Sequence, residues 1–134
     1  MDTTTAPMMM YARADLLAYQ NRYELCLITL DSILTEYPAH TLTDEIKMLK
    51  ASIYMKQGQF DLARDLYQNV VDLHFTDITA DDALFKLALL QEQVYKDTAK
   101  AMMLFEKLIT EFPASLYVVE ARKHFRALRG DELN

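Results

Sequence analysis

The side chains able to do chemistry are few and scattered. Cys26 is the single cysteine among 134 residues. A thiol becomes a nucleophile or a soft metal ligand when a base or a cation lowers its pKa. No His or Asp stands at a suggestive spacing from Cys26, and one cysteine permits no internal disulfide. It is expected to be a small buried residue. His40, His74 and His124 share no helical i, i+4 pair, so structural or surface roles are expected rather than metal binding. The segment FTDITADD gathers Asp77, Asp81 and Asp82, but it lacks the alternating oxygens, the glycine and the distal Glu of a calcium loop. Thr79 with Asp82 reads instead as a helix cap, with acid placed to complement the helix dipole. Met8, Met9 and Met10 cannot converge on one copper ion, because adjacent helical residues point about 100° apart. Arg122, Lys123, Arg126 and Arg129 form a basic stripe. It reads as a solvated outer face with cations near a helix C-terminus, the rival reading being contact with an acidic partner or anionic lipid. There is no glycine-rich phosphate loop, no paired carboxylates in a catalytic setting and no Ser/His/Asp arrangement. No catalytic, cofactor-binding or metal site is expected.

The rest of the chain must therefore be read for what it builds. It is 51% hydrophobic and 25% charged, with Gly 2 and Pro 3. So few breakers point to long helices and short connections. The net charge of −6 argues against general nucleic-acid binding, which needs clustered cations. No segment approaches the ~20 apolar residues of a membrane-spanning helix. The opening MDTTTAPMMM has no basic region before an apolar run, unlike a signal peptide.

One pattern is written three times. NRYELCLITLDSILTEYP, GQFDLARDLYQNVVDLHF and KDTAKAMMLFEKLITEFP align at offsets of 37 and 38 residues. Tyr23, Phe60 and Thr98 correspond, as do Cys26, Ala63 and Ala101. Leu30, Tyr67 and Phe105 follow, then Ile33, Val70 and Leu108, then Tyr37, His74 and Phe112. Pro38, Phe75 and Pro113 come next. The spacings of three, four and three put these residues on one helical face. Self-similarity at this period marks stacked helical hairpins. The small residue is where a neighbouring backbone comes close, and the large one fills the next turn. Gly58 is expected to end a helix in the left-handed region and let the chain reverse. Asn21 and Asp97 are expected N-caps at the matching turns, with Asn21 and Glu24 as a capping box. First helices are expected near 7–20, 42–57 and 79–95, and second helices near 22–36, 60–74 and 98–111. A final helix near 115–129 starts at Ser115 and stops at Gly130, with Tyr117, Val118, Ala121, Phe125 and Leu128 on its apolar face.

These residues resemble a tetratricopeptide repeat array running from about residue 7 to residue 129. Tyr54, Gly58, Phe60, Ala63 and Tyr67 carry the resemblance in the middle repeat, Ala101, Phe105 and Pro113 in the last, and Pro38 closes the first. The repeats are longer than the usual ~34 residues. The family's tryptophan and the leucine-glycine pair of its first helices are absent. With EFPASLYVVEARKHFRAL at the end, the chain is similar to bacterial cell-envelope proteins of the outer-membrane assembly lipoprotein and TolA-binding type. The resemblance implies an all-α fold, a right-handed superhelix of three hairpins (7–38, 42–75 and 79–113) with a capping helix over 115–129. Residues 1–6 and 130–134 are expected to be flexible ends.

It also implies a non-catalytic scaffold that binds a peptide or helix of a partner protein along the concave face of the first helices. The inward residues expected there are Met8, Tyr11, Asp15 and Tyr19 on the first helix. Met48, Ser52 and Met55 follow on the third, and Lys86, Leu90 and Gln93 on the fifth. Only Lys86 is basic, so a clamp for a terminal carboxylate is not expected. A Tyr- and Met-rich face suits an apolar peptide or amphipathic helix. Two alternatives stay open: a structural C-terminal segment of a longer solenoid, or a module that dimerises through its first repeat. The compartment expected from the resemblance is the periplasm or cell envelope, with the cytoplasm as the alternative.

Overall fold

The computed structural model describes residues 5–38, 41–73 and 77–130. These residues form seven α-helices and no strand. They are α1 (Thr5–Tyr19), α2 (Tyr23–Glu36), α3 (Thr43–Lys56), α4 (Phe60–Leu73), α5 (Asp77–Gln93), α6 (Thr98–Glu111) and α7 (Val118–Arg129). Each helix packs on the next, and α1, α3 and α5 also lie against one another in order. The result is a solenoid of helical hairpins, α1–α2, α3–α4 and α5–α6, closed by α7. His40, His74 and Phe75 lie outside the described residues.

The hairpins turn at one repeated position. Asn21 (φ 61°), Gly58 (φ 73°) and Lys96 (φ 57°) are all left-handed. They stand at the same 37- and 38-residue offsets as the helix pattern. In the first two turns the Arg22 N–H bonds to the Leu17 carbonyl at 2.8 Å and the Gln59 N–H to the Tyr54 carbonyl at 2.8 Å. Both close a six-residue loop and satisfy carbonyls that the helix end leaves free. Gly58 has the conformation expected of it. Asn21 does not cap α2. It is the left-handed turn residue, the N-cap is Arg22 with no side-chain cap bond, and the Asn21 Oδ1 accepts from the Tyr23 hydroxyl at 2.8 Å. Asn tolerates this conformation better than most residues. Asp97 caps α6 as expected, accepting from the Lys100 N–H at 3.0 Å. Thr79 and Asp82 lie inside α5, which already begins at Asp77, so they are not its cap. The N-cap of α7 is Tyr117, not Ser115. Ser115 still organises that start, its Oγ accepting from the Tyr117 N–H at 3.1 Å. Gly130 ends α7 at φ 92°.

The aligned small residues Cys26, Ala63 and Ala101 are wholly buried. So are the aliphatic residues about two turns further on, Ile33, Val70 and Leu108. Cys26 uses its thiol structurally, donating to the Ala14 carbonyl across the hairpin at 3.1 Å. Burial, then the charge of Asp15, pushes this thiol's pKa up, away from the reactive thiolate. The core falls into two clusters. Ala14, Cys26, Leu30 and Ile33 gather with Ile46 and Ile53 of α3. The larger cluster runs from Ala51 of α3 through α4, α5 and α6 to Val118 and Ala121 of α7. Helix α3 is thus the joint, with one face in each cluster. The Lys50–Asp31 ion pair at 2.6 Å ties α3 back to α2. The apolar face of α7 is the one expected: Val118 and Ala121 are buried, and Tyr117, Phe125 and Leu128 pack around them.

Two consequences can be measured by denaturant unfolding. Ala63→Leu or Ala101→Leu inserts bulk at a wholly buried helix contact and should cost about 1–3 kcal/mol. Lys96→Gly relieves a left-handed lysine and should raise stability by about 1 kcal/mol, whereas Gly58→Ala should lower it by a similar amount.

Candidate functional site

The row of first helices carries two neighbouring hollows. One, of about 360 Å³, lies between α3 and α5 and is lined by Ser52, Met55, Lys56, Tyr67, Lys86, Leu89, Leu90, Gln93 and Val94. Its wall is mostly apolar, with two lysines at the rim. The other, of about 340 Å³, is bounded by Tyr11 of α1, by Glu45, Met48 and Leu49 of α3, and by Ile78, Thr79 and Asp82 of α5. Both fall in the size range of ligand-accepting clefts.

Seven of the ten residues expected on the concave face line these hollows. Ser52, Met55, Lys86, Leu90 and Gln93 share the first, and Tyr11 and Met48 share the second. Leu90 is only 2% exposed and forms floor rather than contact surface. Met8, Asp15 and Tyr19 stand outside both hollows. Met8 and Tyr19 project into solvent at 53% and 86% exposure. Lys56, Tyr67, Leu89 and Val94 were not expected in the site. Tyr67 was assigned to the core from its place in the repeat. It is buried, yet it reaches from α4 between α3 and α5 to the groove wall. Lys56 is the last residue of α3, where a small error in the helix end changes the face assigned.

Polar contacts set the chemistry of the rim. Asp82 accepts from Lys86 Nζ at 2.7 Å and from the Tyr117 hydroxyl at 2.8 Å. One carboxylate thereby fixes a rim lysine and bolts α7 to α5. Phe85 stacks on Tyr117 with centroids 4.7 Å apart, and Phe105 stacks on His124 at 5.0 Å. His124 Nδ1 meets Glu92 at 2.9 Å. His124 is thus part of the α5–α7 joint, a role its sequence position gave no sign of. Lys56 Nζ sits 5.7 Å from the Tyr23 ring centroid, a cation–π contact that carries it over the first hairpin. Burial, then nearby Asp82, pushes the Tyr67 phenol up to about 12. Burial, then the bond to Asp82, does the same for Tyr117. Burial raises Tyr11 as well, with Asp15 and Glu45 adding to it. At neutral pH Tyr67 in the first hollow and Tyr11 in the second therefore offer uncharged phenols beside apolar carbons.

Among the described residues no group of three or more His, Cys, Asp or Glu could hold a metal ion. Among them, too, no helix is long and apolar enough to cross a membrane. Arg122, Lys123 and Arg126 are exposed on α7. Lys123 reaches Glu120 at 3.4 Å and Arg129 lies over the Phe125 ring.

The sequence pattern of the tetratricopeptide repeat family matches residues 48–74 and 82–115. These matches cover most of the second and third hairpins, and the seven helices pack consecutively as a helical-hairpin solenoid of the kind such repeats build. Such repeats generally mediate protein–protein interaction on a typically non-catalytic scaffold. No curated protein matches the chain.

The phenols generate an alkaline test. Tyr67 and Tyr117 hold their protons more tightly folded than unfolded, so the stability they add is complete below the ordinary value of 10.0. It is lost as pH rises through about 12. Melting temperature should fall steeply across that window, and Tyr117→Phe should fall less steeply than wild type.

Proposed function

We propose that this protein is a non-catalytic scaffold that holds an apolar peptide or amphipathic helix of a partner protein along its first helices. The observation that carries this reading is the apolar hollow between α3 and α5, with Lys56 and Lys86 at its rim. A partner side chain such as Leu or Phe seated there would gain about 1.5–3 kcal/mol from burial. Met55 adapts its shape to what enters, and the lysines favour an acidic residue beside the apolar anchor. Lys86 is already shared with Asp82, so the rim lacks the free cation cluster that clamping a terminal carboxylate requires. The similarity of the C-terminal segment to envelope tetratricopeptide proteins supports a bacterial periplasmic or cell-envelope setting.

A paired substitution tests the groove. Met55→Glu puts a carboxylate into the apolar wall, and Leu25→Glu puts one on an exposed position of α2. Both should fold, as read by circular dichroism. Affinity capture followed by mass spectrometry should show polypeptides retained by wild type and by Leu25→Glu but lost with Met55→Glu. Equal retention by all three proteins would place binding elsewhere.

A further inference from the structure

The outer face of α1 is built like a helix that something covers. The repeated left-handed turns fix the register, and in it Met9 corresponds to Ile46 and Leu84, and Leu16 to Ile53 and Gln91. Those four counterparts are at most 5% exposed, because in each later hairpin the preceding hairpin packs over this face. Met9 and Leu16 are 68% and 55% exposed. With Ala12 and Tyr19 they form a continuous stripe at spacings of three and four, as a helix-packing seam does.

The charges beside the stripe say what fits it. Arg13 corresponds to Lys50, which pairs with Asp31 of the preceding hairpin at 2.6 Å. The register therefore calls for a carboxylate on the covering helix, at the edge of its own apolar face. Asp15 of α1 is such a group. On a helical wheel Arg13 and Asp15 flank opposite edges of the stripe, two residues and about 3 Å of rise apart. Both are exposed, and neither has an ion-pair partner among the described residues. A two-fold axis running along the stripe lays the Arg13 edge of one copy against the Asp15 edge of the other, twice.

We propose that a second copy of this chain covers the face, forming a symmetric dimer whose two α1 helices pack stripe to stripe with reciprocal Arg13–Asp15 pairs. This surface is separate from the groove between α3 and α5 and does not depend on what that groove binds.

Sedimentation equilibrium of the full chain tests it. Wild type should show a concentration-dependent mass reaching twice the 15.5 kDa of one chain. Leu16→Glu should remain monomeric while keeping the helical circular dichroism spectrum. Arg13→Asp and Asp15→Arg each turn two attractions into two repulsions and should weaken the dimer about tenfold. The double exchange Arg13→Asp/Asp15→Arg should restore it, and a mixture of the two single variants should associate better than either alone. A wild type that stays at the single-chain mass at high concentration overturns the proposal. So does a dimer that Leu16→Glu leaves intact, or a charge exchange that fails to restore association.

Discussion

The close approach of two helix backbones at Cys26, Ala63 and Ala101 governs this structure. At each point the inner helix presents almost no side chain, so its neighbour lies near enough for the Cys26 thiol to reach the Ala14 carbonyl. That proximity lets the next turn of the same face bury Leu30, Tyr67 or Phe105 against the opposite helix. The hairpin turn must then deliver the second helix at this short distance with very few residues. A left-handed residue at Asn21, Gly58 and Lys96 does so, because it reverses the chain while its neighbours' N–H groups satisfy the free carbonyls of the helix just ended. Core contact and turn are two halves of one constraint, which explains why they repeat at the same offsets.

Stacking follows from what a hairpin leaves uncovered. Each buries its inner face alone but leaves an apolar flank on its first helix, which the preceding hairpin covers. Helix α3 shows this plainly: Ile46 and Ile53 belong to the first cluster and Ala51 to the second. The groove is a by-product of the same arrangement. Two first helices stand side by side with Tyr67 wedged from behind, so the hollow between them inherits a rigid floor from the core. Asp82 stiffens the far wall by holding Lys86 and Tyr117 together. The surface that can bind is therefore set by residues whose first task is to hold hairpins together.

Much of this was legible in the sequence because it rests on period and size. The repeat offsets, the buried small residues, the left-handed Gly58, the Asp97 cap and the inner face of α7 all come from local spacing. The misreadings share one cause. Asn21 is an equally good N-cap and left-handed turn residue, and only the backbone path decides between them. Thr79, Asp82 and Ser115 have the composition of caps, but α5 already begins at Asp77 and the N-cap of α7 falls two residues after Ser115, whose hydroxyl accepts from the Tyr117 N–H instead. In the site, the alternation of faces along α3 and α5 revealed Ser52, Met55, Lys86 and Gln93. It could not reveal that Tyr67 shows through from α4, or that His124 closes on Glu92. Both depend on distances between helices that no single helix encodes. The burial of Leu90 has the same origin, since its face is turned by neighbours and not by its own periodicity.

The outer faces of α1 and α7 are chemically unlike, and this limits how they can meet. The outer face of α1 is apolar, with Met9, Ala12, Leu16 and Tyr19 in line. The outer face of α7 carries Arg122, Lys123 and Arg126 beside Val119. A head-to-tail stack would press those cations onto an apolar stripe and strip their water, which costs several kcal/mol per unpaired ion. It would also propagate without closing, as heterologous contacts do. Pairing α1 with α1 avoids both outcomes. The apolar surface meets its like, the charges at its edges meet opposites, and the cations of α7 are not pressed onto apolar carbon. The distribution of charge along the chain thus favours a closed pair over a filament, on the same physics that keeps Lys50 beside Asp31 inside the array.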